Sequence, residues 1–279
     1  MRTIHKKDSP IDWIGSLPFF VMWAAGVITP LFTGVSWSWL IVVVVLYYTR
    51  MFFVTGGLHR YFSHRQFDMT RFWQFVAALC TCTTVQNSAL WWAYHHRGHH
   101  RHSDTERDLH SNWWWGFLES HFLWFLRMNS QETDMSKVRD LSRFRELVML
   151  DKKLICLIPP TLLAIGCYYL GVGLGETYST TGLQMLGAFF TSTFLLHNGT
   201  FTINSLSHMY GTRRYETGEK SRNNWFLALF ITLGEGWHNN HHAYPRRVRQ
   251  GHTPWELDPT YGILKVLEFL GIISNLRYT

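Results

Sequence analysis

The sequence predicts an all-α membrane protein that crosses the bilayer several times and has a sizeable cytosolic part. Of its 279 residues, 47 % are hydrophobic and only 16 % are charged, against about 25 % charged residues in average soluble proteins. The hydrophobic residues are concentrated in a few long runs that are separated by polar segments. This composition excludes a disordered chain, which would be poor in aromatic residues and rich in charge.

Four spans are predicted from the apolar runs. No charged residue occurs from residue 13 to residue 49, whereas one spanning helix needs only about 20 apolar residues. Pro30, Gly34 and Ser36 interrupt this run, so it is interpreted as two spans joined by a very short turn. Two further spans follow later in the chain. The predicted spans cover residues 13–33, 36–57, 155–174 and 182–204.

A fifth apolar stretch, residues 72–94, is also free of charge. It contains the polar residues Gln74, Gln86 and Asn87, which are costly to place in hydrocarbon without hydrogen-bond partners. Two placements remain open for this stretch, because it either lies against the bilayer surface or is buried inside the protein.

The positions of the basic residues predict the orientation in the membrane. Cytoplasmic loops carry an excess of Lys and Arg. Apart from Arg50, every Lys and Arg lies in the N-terminal tail, in residues 59–153 or in residues 205–279. We therefore predict a multi-pass integral membrane protein with both termini and both long segments in the cytoplasm. The net charge of +7 is assigned to anionic lipid headgroups and not to nucleic acid, since no nucleic-acid-binding module is recognisable.

Nine of the sixteen histidines form four clusters near the cytosolic ends of the predicted spans or in the cytosolic segments. Residues at i, i+3 and i+4 share one face of a helix, so an HxxHH cluster directs two or three imidazoles to one point. Neutral imidazole binds Fe, Cu, Zn and Ni. Because nine histidines exceed the needs of one tetrahedral zinc, the sequence predicts a pair of metals of higher coordination number. The clusters are His59 and His64; His96, His99 and His100; Asn204 and His208; and His238, His241 and His242.

The other histidines and the nearby carboxylates are given smaller roles. Glu235 is interpreted either as a partner of a ligand or as an N-terminal helix cap. The remaining acidic residues near the clusters are not expected to share the cluster geometry; they are Asp104, Glu106 and Asp108. Three histidines near the second cluster are candidates for supporting contacts, namely His95, His102 and His110. Four more are expected to be ordinary polar residues, namely His5, His121, His197 and His252.

At these clusters the sequence resembles the membrane-bound fatty acid desaturases, in particular the acyl-CoA (stearoyl-CoA, delta-9) branch and its bacterial members. The motifs HxxxxH, HxxHH, NxxxH and HxxHH occur in the order of that family. Flanking segments match as well, including Thr55-Gly-Gly-Leu-His59 and Gly234-Glu-Gly-Trp237. The resemblance covers residues 13–277. It implies a single domain in the bacterial cytoplasmic membrane, with four spans as a stem and residues 59–153 and 205–279 as a helical cap that holds the metals.

The resemblance also implies the chemistry of the site. Two irons would be held by the nine clustered histidines, with Asn204 bound through a water, and Asn87 and Trp92 would contact substrate. The implied reaction uses O2 and two electrons to remove two neighbouring hydrogens from a saturated acyl chain, leaving a cis double bond at the delta-9 position. The implied branch acts on acyl-CoA, but the sequence itself leaves the acyl carrier open between coenzyme A, a phospholipid and a carrier protein. The electrons would come from a separate partner of the cytochrome b5, ferredoxin or rubredoxin type.

Several alternatives stay open or are disfavoured. Related enzymes with the same motifs include hydroxylases, ketolases and desaturases of acyl groups in lipids. A metal transporter would place its ligands near the bilayer midplane, whereas these clusters lie at the cytosolic edge. A bis-histidine haem carrier would need paired histidines inside two spans, and the predicted spans contain only His197.

Five cytosolic arginines have two interpretations. The headgroup of an acyl-CoA carries several phosphates, and Arg pairs well with phosphate. Alternatively, these residues form a basic surface facing the membrane, which is the preferred interpretation for any one of them. The five are Arg213, Arg214, Arg246, Arg247 and Arg249.

Overall fold

Long helices dominate the computed structural model, which describes residues 9–108, 110–111, 116–175 and 180–279. Within these residues the strands β1 (Asp68–Met69) and β2 (Ile273–Ser274) pair in an antiparallel manner, with Asp68 opposite Ser274. Two segments are π-helical, Phe53–Ser63 and Leu227–Ile231. The α-helices are α1 (Trp13–Thr33), α2 (Trp37–Phe52), α3 (Arg71–Cys82), α4 (Ala89–His102), α5 (Phe117–His121), α6 (Arg139–Ser142), α7 (Arg145–Leu150), α8 (Lys153–Cys156), α9 (Ile158–Leu174), α10 (Thr180–Asn204), α11 (His238–Ala243) and α12 (Pro259–Phe269).

Three helical segments of the described chain are long and apolar enough to cross a membrane, namely Trp13–Thr33, Trp37–Ser63 and Lys153–Leu174. They coincide with the first three predicted spans. The second extends beyond its predicted end at residue 57, because α2 passes directly into the π-helix. Helix α10 covers the fourth predicted span, but it contains more polar residues and does not belong to this apolar set.

The turn between the first two helices begins later than Pro30, which lies inside α1. Proline has no N–H to donate to the carbonyl four residues earlier, here that of Gly26. The hydroxyl of Thr191 donates to this carbonyl instead, at 2.6 Å. Helix α1 therefore continues to Thr33, and the turn forms at Gly34, whose φ of +75° suits glycine.

Helix α10 packs against α1, α2 and α9, and glycines permit close contact in two of these interfaces. A Cβ atom on Gly26 of α1 would lie 2.7 Å from the carbonyl oxygen of Phe190. One on Gly171 of α9 would lie 2.3 Å from that of Thr181. Small residues of this kind let helix backbones approach closely where water does not drive association.

A leucine at Gly171 should therefore separate α9 from α10. Overpacking of this kind costs about 1–3 kcal/mol, so we expect Gly171→Leu to lower the thermal unfolding midpoint of the detergent-purified protein. Gly166→Leu is the matched control on the same helix, because a Cβ there meets no atom within 4 Å. Equal midpoints for the two variants would contradict the close contact.

The fifth apolar stretch forms two helices, α3 and the start of α4, joined by a turn at residues 83–88. Helix α3 has a buried face that includes Gln74 and an outward face on which the apolar Phe72 is 65 % exposed. Gln74 accepts a hydrogen bond from the hydroxyl of Tyr61 on the π-helix at 2.9 Å. The buried core beneath the metal-ligating candidates joins these elements and includes Leu58, Phe62, Phe67, Leu90, Leu141 and Leu147.

Candidate metal centre

The first histidine cluster lies on the π-helical continuation of α2. A π-helix pairs each N–H with the carbonyl five residues earlier, and the N–H of His64 donates to the carbonyl of His59 at 3.2 Å. Residues at i and i+5 therefore lie one turn apart on the same side. The ring centroids of His59 and His64 are 4.8 Å apart. The HxxxxH spacing thus suits a π-helix, because an α-helix of 3.6 residues per turn would rotate the two rings apart.

The second and fourth clusters lie on α4 and α11, and each is divided between two groups of imidazoles. On α4, His96 and His100 face the first group and His99 faces the second. Helix α11 is divided in the opposite sense. Its residues at i and i+4, His238 and His242, belong to the second group, and its residue at i+3, His241, belongs to the first.

The third cluster comes from the end of α10. Asn204 is the last residue of this helix, and a 3₁₀ turn over Leu206–His208 follows it. This turn brings His208 to α11, where its Nε2 atom lies 3.1 Å from Nε2 of His238. Asn204 lines a cavity that also contacts His96.

All nine clustered histidines therefore meet in two groups, and the ligand atoms within each group lie within 4.8 Å of one another. Neighbouring Nε2 atoms in the first group are 2.8–3.0 Å apart. Two ligands at right angles around one metal would be about 2.9 Å apart, because bonds from histidine to a metal such as zinc are about 2.0–2.1 Å long. The first group contains His59, His64, His96, His100 and His241, and the second contains His99, His208, His238 and His242.

Carboxylates contact the outward-facing Nδ1 atom of four of these rings. An imidazole that donates its Nδ1–H to a carboxylate leaves Nε2 unprotonated and free to bind a metal. Unprotonated Nε2 atoms that face one another repel unless a cation lies between them, so the arrangement fits bound metal. The pairs, with the distance to the nearer carboxylate oxygen, are His59–Glu235 (2.5 Å), His99–Asp108 (3.0 Å), His208–Asp104 (2.9 Å) and His242–Glu219 (3.6 Å).

Burial and the neighbouring rings favour neutral imidazole over most of the site. Burial, followed by the proximity of other histidines, holds the pKa of His96 and His241 well below the ordinary value. At His99 burial also acts to lower the pKa and is the largest single influence, but the nearby carboxylates, Asp108 first among them, together raise the pKa. The carboxylates beside His99 therefore favour positive charge at that ring, whereas burial and the neighbouring histidines hold the pKa of His238 and His242 well below the ordinary value.

One expectation about the carboxylates is wrong, and one open interpretation is decided. Asp104 and Asp108 contact cluster histidines, contrary to the expectation that they do not share the cluster geometry; the loop after α4 folds back and turns them toward His208 and His99. Glu235 is a partner of His59 and makes no side-chain cap to α11. Glu219 also contacts the site, and no spacing in the sequence indicates it.

Comparison with known proteins identifies a family whose sequence pattern the chain shares. The sequence model of the fatty acid desaturase family matches residues 36–259, which is most of the chain. The chain belongs to the fatty acid desaturase family. The resemblance carried by the four histidine motifs is thereby confirmed.

Named relatives of this desaturase family member agree in the class of reaction and differ in the acyl carrier. The sn-1 stearoyl-lipid 9-desaturase of Anabaena variabilis is 30 % identical over 99 % of this chain and 97 % of its own length. The Delta-9 acyl-lipid desaturase 2 of Arabidopsis thaliana is 31 % identical over 96 % and 83 %. The icosanoyl-CoA 5-desaturase of Limnanthes douglasii is 29 % identical over 98 % and 74 %.

A narrow cavity of the protein reaches the first group of imidazoles at His96. Trp92 lines this cavity and stacks on the His96 ring, with centroids 4.8 Å apart. Asn87 lines it too, in a turn where its φ is +62°, a conformation that Asn tolerates better than most residues. The structure therefore places both sequence-predicted substrate contacts, Asn87 and Trp92, in the wall of the cavity beside the metal-ligating candidates.

The remaining histidines have other partners. His110 stacks on His99 with centroids 4.2 Å apart, and His95 lines the cavity. His197 also lines it, and its Nδ1 accepts from the indole of Trp23 at 3.1 Å. His121 contacts Asn198 of α10 and Ser205 just beyond its end, and His252 contacts the hydroxyl of Tyr215. His102 belongs to neither imidazole group, and His5 lies outside the described residues.

Asp108→Asn should weaken metal binding by about 10–100-fold, the usual cost of losing the outer partner of a metal-ligating histidine. The amide keeps the shape of the side chain but removes the charge that orients His99. Competition with a chelator on the purified protein measures the change. Glu106→Gln is the matched control, because Glu106 is exposed in the same loop. Equal affinities for the two variants would contradict the role of Asp108.

Proposed function

We propose that this protein is an O2-dependent fatty acyl desaturase that introduces a cis double bond at position 9 of a saturated acyl chain. The observation that carries the proposal is the convergence of nine imidazoles in two adjacent groups at the end of a cavity. Membership of the desaturase family supports the reaction class. The names of two relatives support position 9.

Two irons are the metals that we assign to the site, one to each imidazole group, with Asn204 reaching one of them through a water. The residues fit such metals in two respects. The outward Nδ1 atoms of His59, His99 and His208 are paired with carboxylates. The inward Nε2 atoms are spaced as ligands around a metal would be. When bound, an iron pair supplies the O2 activation needed for removing hydrogen from an unactivated methylene, with electrons from a separate donor of the cytochrome b5, ferredoxin or rubredoxin type.

The residues of the chain position the acyl group and limit access of water. Gln86 donates to the hydroxyl of Thr200 at 3.0 Å, which joins the turn at residues 83–88 to α10 across the cavity. Trp92, stacked on His96, provides a flat wall beside the first imidazole group. An extended alkyl chain held between these walls would present one pair of neighbouring methylenes to the site, which is the requirement for a single cis double bond.

We also propose that α10 is the fourth membrane span, so that the four spans form a stem under a cytosolic cap of residues 59–153 and 205–279. Its packing against the three apolar helices and its 25-residue length support this. A tag on either terminus should then be labelled only from the cytoplasmic side. Labelling of one terminus from outside would contradict the four-span arrangement.

The lipid profile of expressing cells tests the proposed reaction. The host lacks this desaturation and expresses the wild-type chain or the His96→Ala/His100→Ala variant, each with a panel of electron donors. We expect a cis-9 monoene, located by mass spectrometry, that is absent with the variant. A hydroxylated or keto lipid would assign the protein to the related oxygenases. An unchanged profile with every donor would contradict the proposal.

A further inference from the structure

A second and larger cavity, with a volume of about 640 Å³, lies beside the one that reaches His96. It is bounded by the first turns of α1 and by residues 153–157, where the third membrane segment begins. Five residues line both cavities, so the two adjoin, and together we call them the passage toward the candidate metal centre. The five shared residues are Phe19, Val85, Asn87, Trp91 and Phe125.

The outer end of this passage is open at apolar residues of two membrane helices. Pro18 belongs to α1, and Leu154 and Leu157 belong to the start of the segment Lys153–Leu174. All three are exposed, Leu154 to 83 %. Exposed apolar side chains at the ends of two helices that are long and apolar enough to cross a membrane suit contact with lipid acyl chains better than contact with water.

Polar side chains line the same cavity on the side toward the cap. Asp151 accepts hydrogen bonds from the hydroxyls of Ser88 and Thr133. Lys153 donates to the side-chain oxygen of Gln131 at 3.1 Å. The passage therefore has apolar walls leading inward and a hydrogen-bonding rim at its mouth, as an amphipathic ligand requires.

The charge of this rim is unsuited to coenzyme A. Among the described residues that line the cavity, Lys153 is the only cation, whereas Glu132 and Asp151 are both carboxylates. A ligand with several phosphates needs a cluster of Arg or Lys side chains. The five cytosolic arginines that could pair with those phosphates line neither cavity, and Arg214 is paired with Glu256 at 2.7 Å.

We infer that the substrate of this desaturase is the acyl group of a membrane glycerolipid with an uncharged or zwitterionic headgroup, which enters sideways between α1 and the start of α9. The acyl chain passes along the walls shared by the two cavities to the imidazoles at His96, while the headgroup stays at the rim. The inference rests on the proposed function and specifies its acyl carrier.

Thiol protection tests the carrier without any need for turnover. Cys82 and Cys156 both line the larger cavity, whereas Cys80 and Cys167 line neither cavity. We expect distearoylphosphatidylcholine in detergent to slow the alkylation of Cys82 and Cys156 by N-ethylmaleimide several-fold, leaving Cys80 and Cys167 unchanged, and stearoyl-CoA to have no such effect. Protection by stearoyl-CoA would overturn the choice of carrier. Protection by neither compound would overturn the passage.

Two variants extend this test. Glu132→Lys places a second cation at the rim and should allow stearoyl-CoA to protect Cys82 and Cys156. Leu157→Trp should block the mouth and lower the monoene content of cellular glycerolipids several-fold, whereas Leu162→Trp, on an exposed residue farther along the same helix, should not. Unchanged monoene with Leu157→Trp would overturn the sideways route and leave the proposed reaction intact. Failure of the proposed reaction would be distinct, because the wild type itself would then form no monoene.

Discussion

Replacing His99 by alanine is expected to lower desaturation by more than about 100-fold, because losing only the outer partner of a ligand already costs about 10–100-fold. The metal content of the purified protein should fall from two ions per chain toward one. His99 is one of only four histidines in its group. His241→Ala should abolish activity too, but its group retains four imidazoles and should lose less metal.

His102→Ala is the matched control for both variants, since His102 is on α4 and belongs to neither group. All three proteins should remain inserted in the membrane at similar levels. Product analysis in cells and elemental analysis of the purified proteins measure the two effects. Near-normal turnover by His99→Ala or His241→Ala would remove the assignment of a metal pair to these residues.

Replacing Arg60 by alanine should strongly destabilise the fold. Its guanidinium is completely buried and donates to Glu235 at 3.0 Å and to both oxygens of Asp258. Removing one partner of a buried ion pair costs about 3–5 kcal/mol, because the remaining charge is left without compensation. Burial opposes the ionisation of Glu235, yet its contacts with His59 and Arg60 lower its pKa to about 2.

The Arg60→Ala protein should therefore unfold at a clearly lower temperature and should also bind metal less tightly, since Glu235 then loses one of the groups that hold it against His59. Arg71→Ala is the control. The ion pair of Arg71 with Glu146 lies at the surface, where the Arg71 side chain is 67 % exposed, so little change is expected. Similar unfolding midpoints for the two variants would contradict a structural role for the buried network.

The histidine clusters and the long helices were predictable because both depend on local patterns. A run of apolar residues predicts a spanning helix wherever it occurs, and HxxHH on α4 follows from helix periodicity. The break after α1 was predicted in the correct region. Its exact position depended on Thr191, which binds the carbonyl that Pro30 leaves free, and a contact so distant in sequence leaves no local signal.

The division of the site into two groups was beyond local patterns for a related reason. Helix periodicity places the three residues of HxxHH on one face, but the choice of the i+3 residue for the neighbouring group depends on where α4 and α11 meet. The π-helix at His59 was detectable in principle, because a spacing of five does not suit an α-helix. The role of Glu219 was not detectable from the sequence, because its contact with His242 forms only when the chain folds back to α11.

Helices α4 and α11 each supply imidazoles to both groups, and this sharing has a consequence for assembly. A first ion that draws together one group must fix the rotation of both helices, and these are the helices that carry most of the second group. The first ion has then already ordered most of the second group. Binding the second ion therefore costs less conformational entropy, so the second ion should bind more tightly than the first. Loading should therefore be cooperative, with few half-filled chains during titration with metal, and a chelator should empty both positions in a single transition.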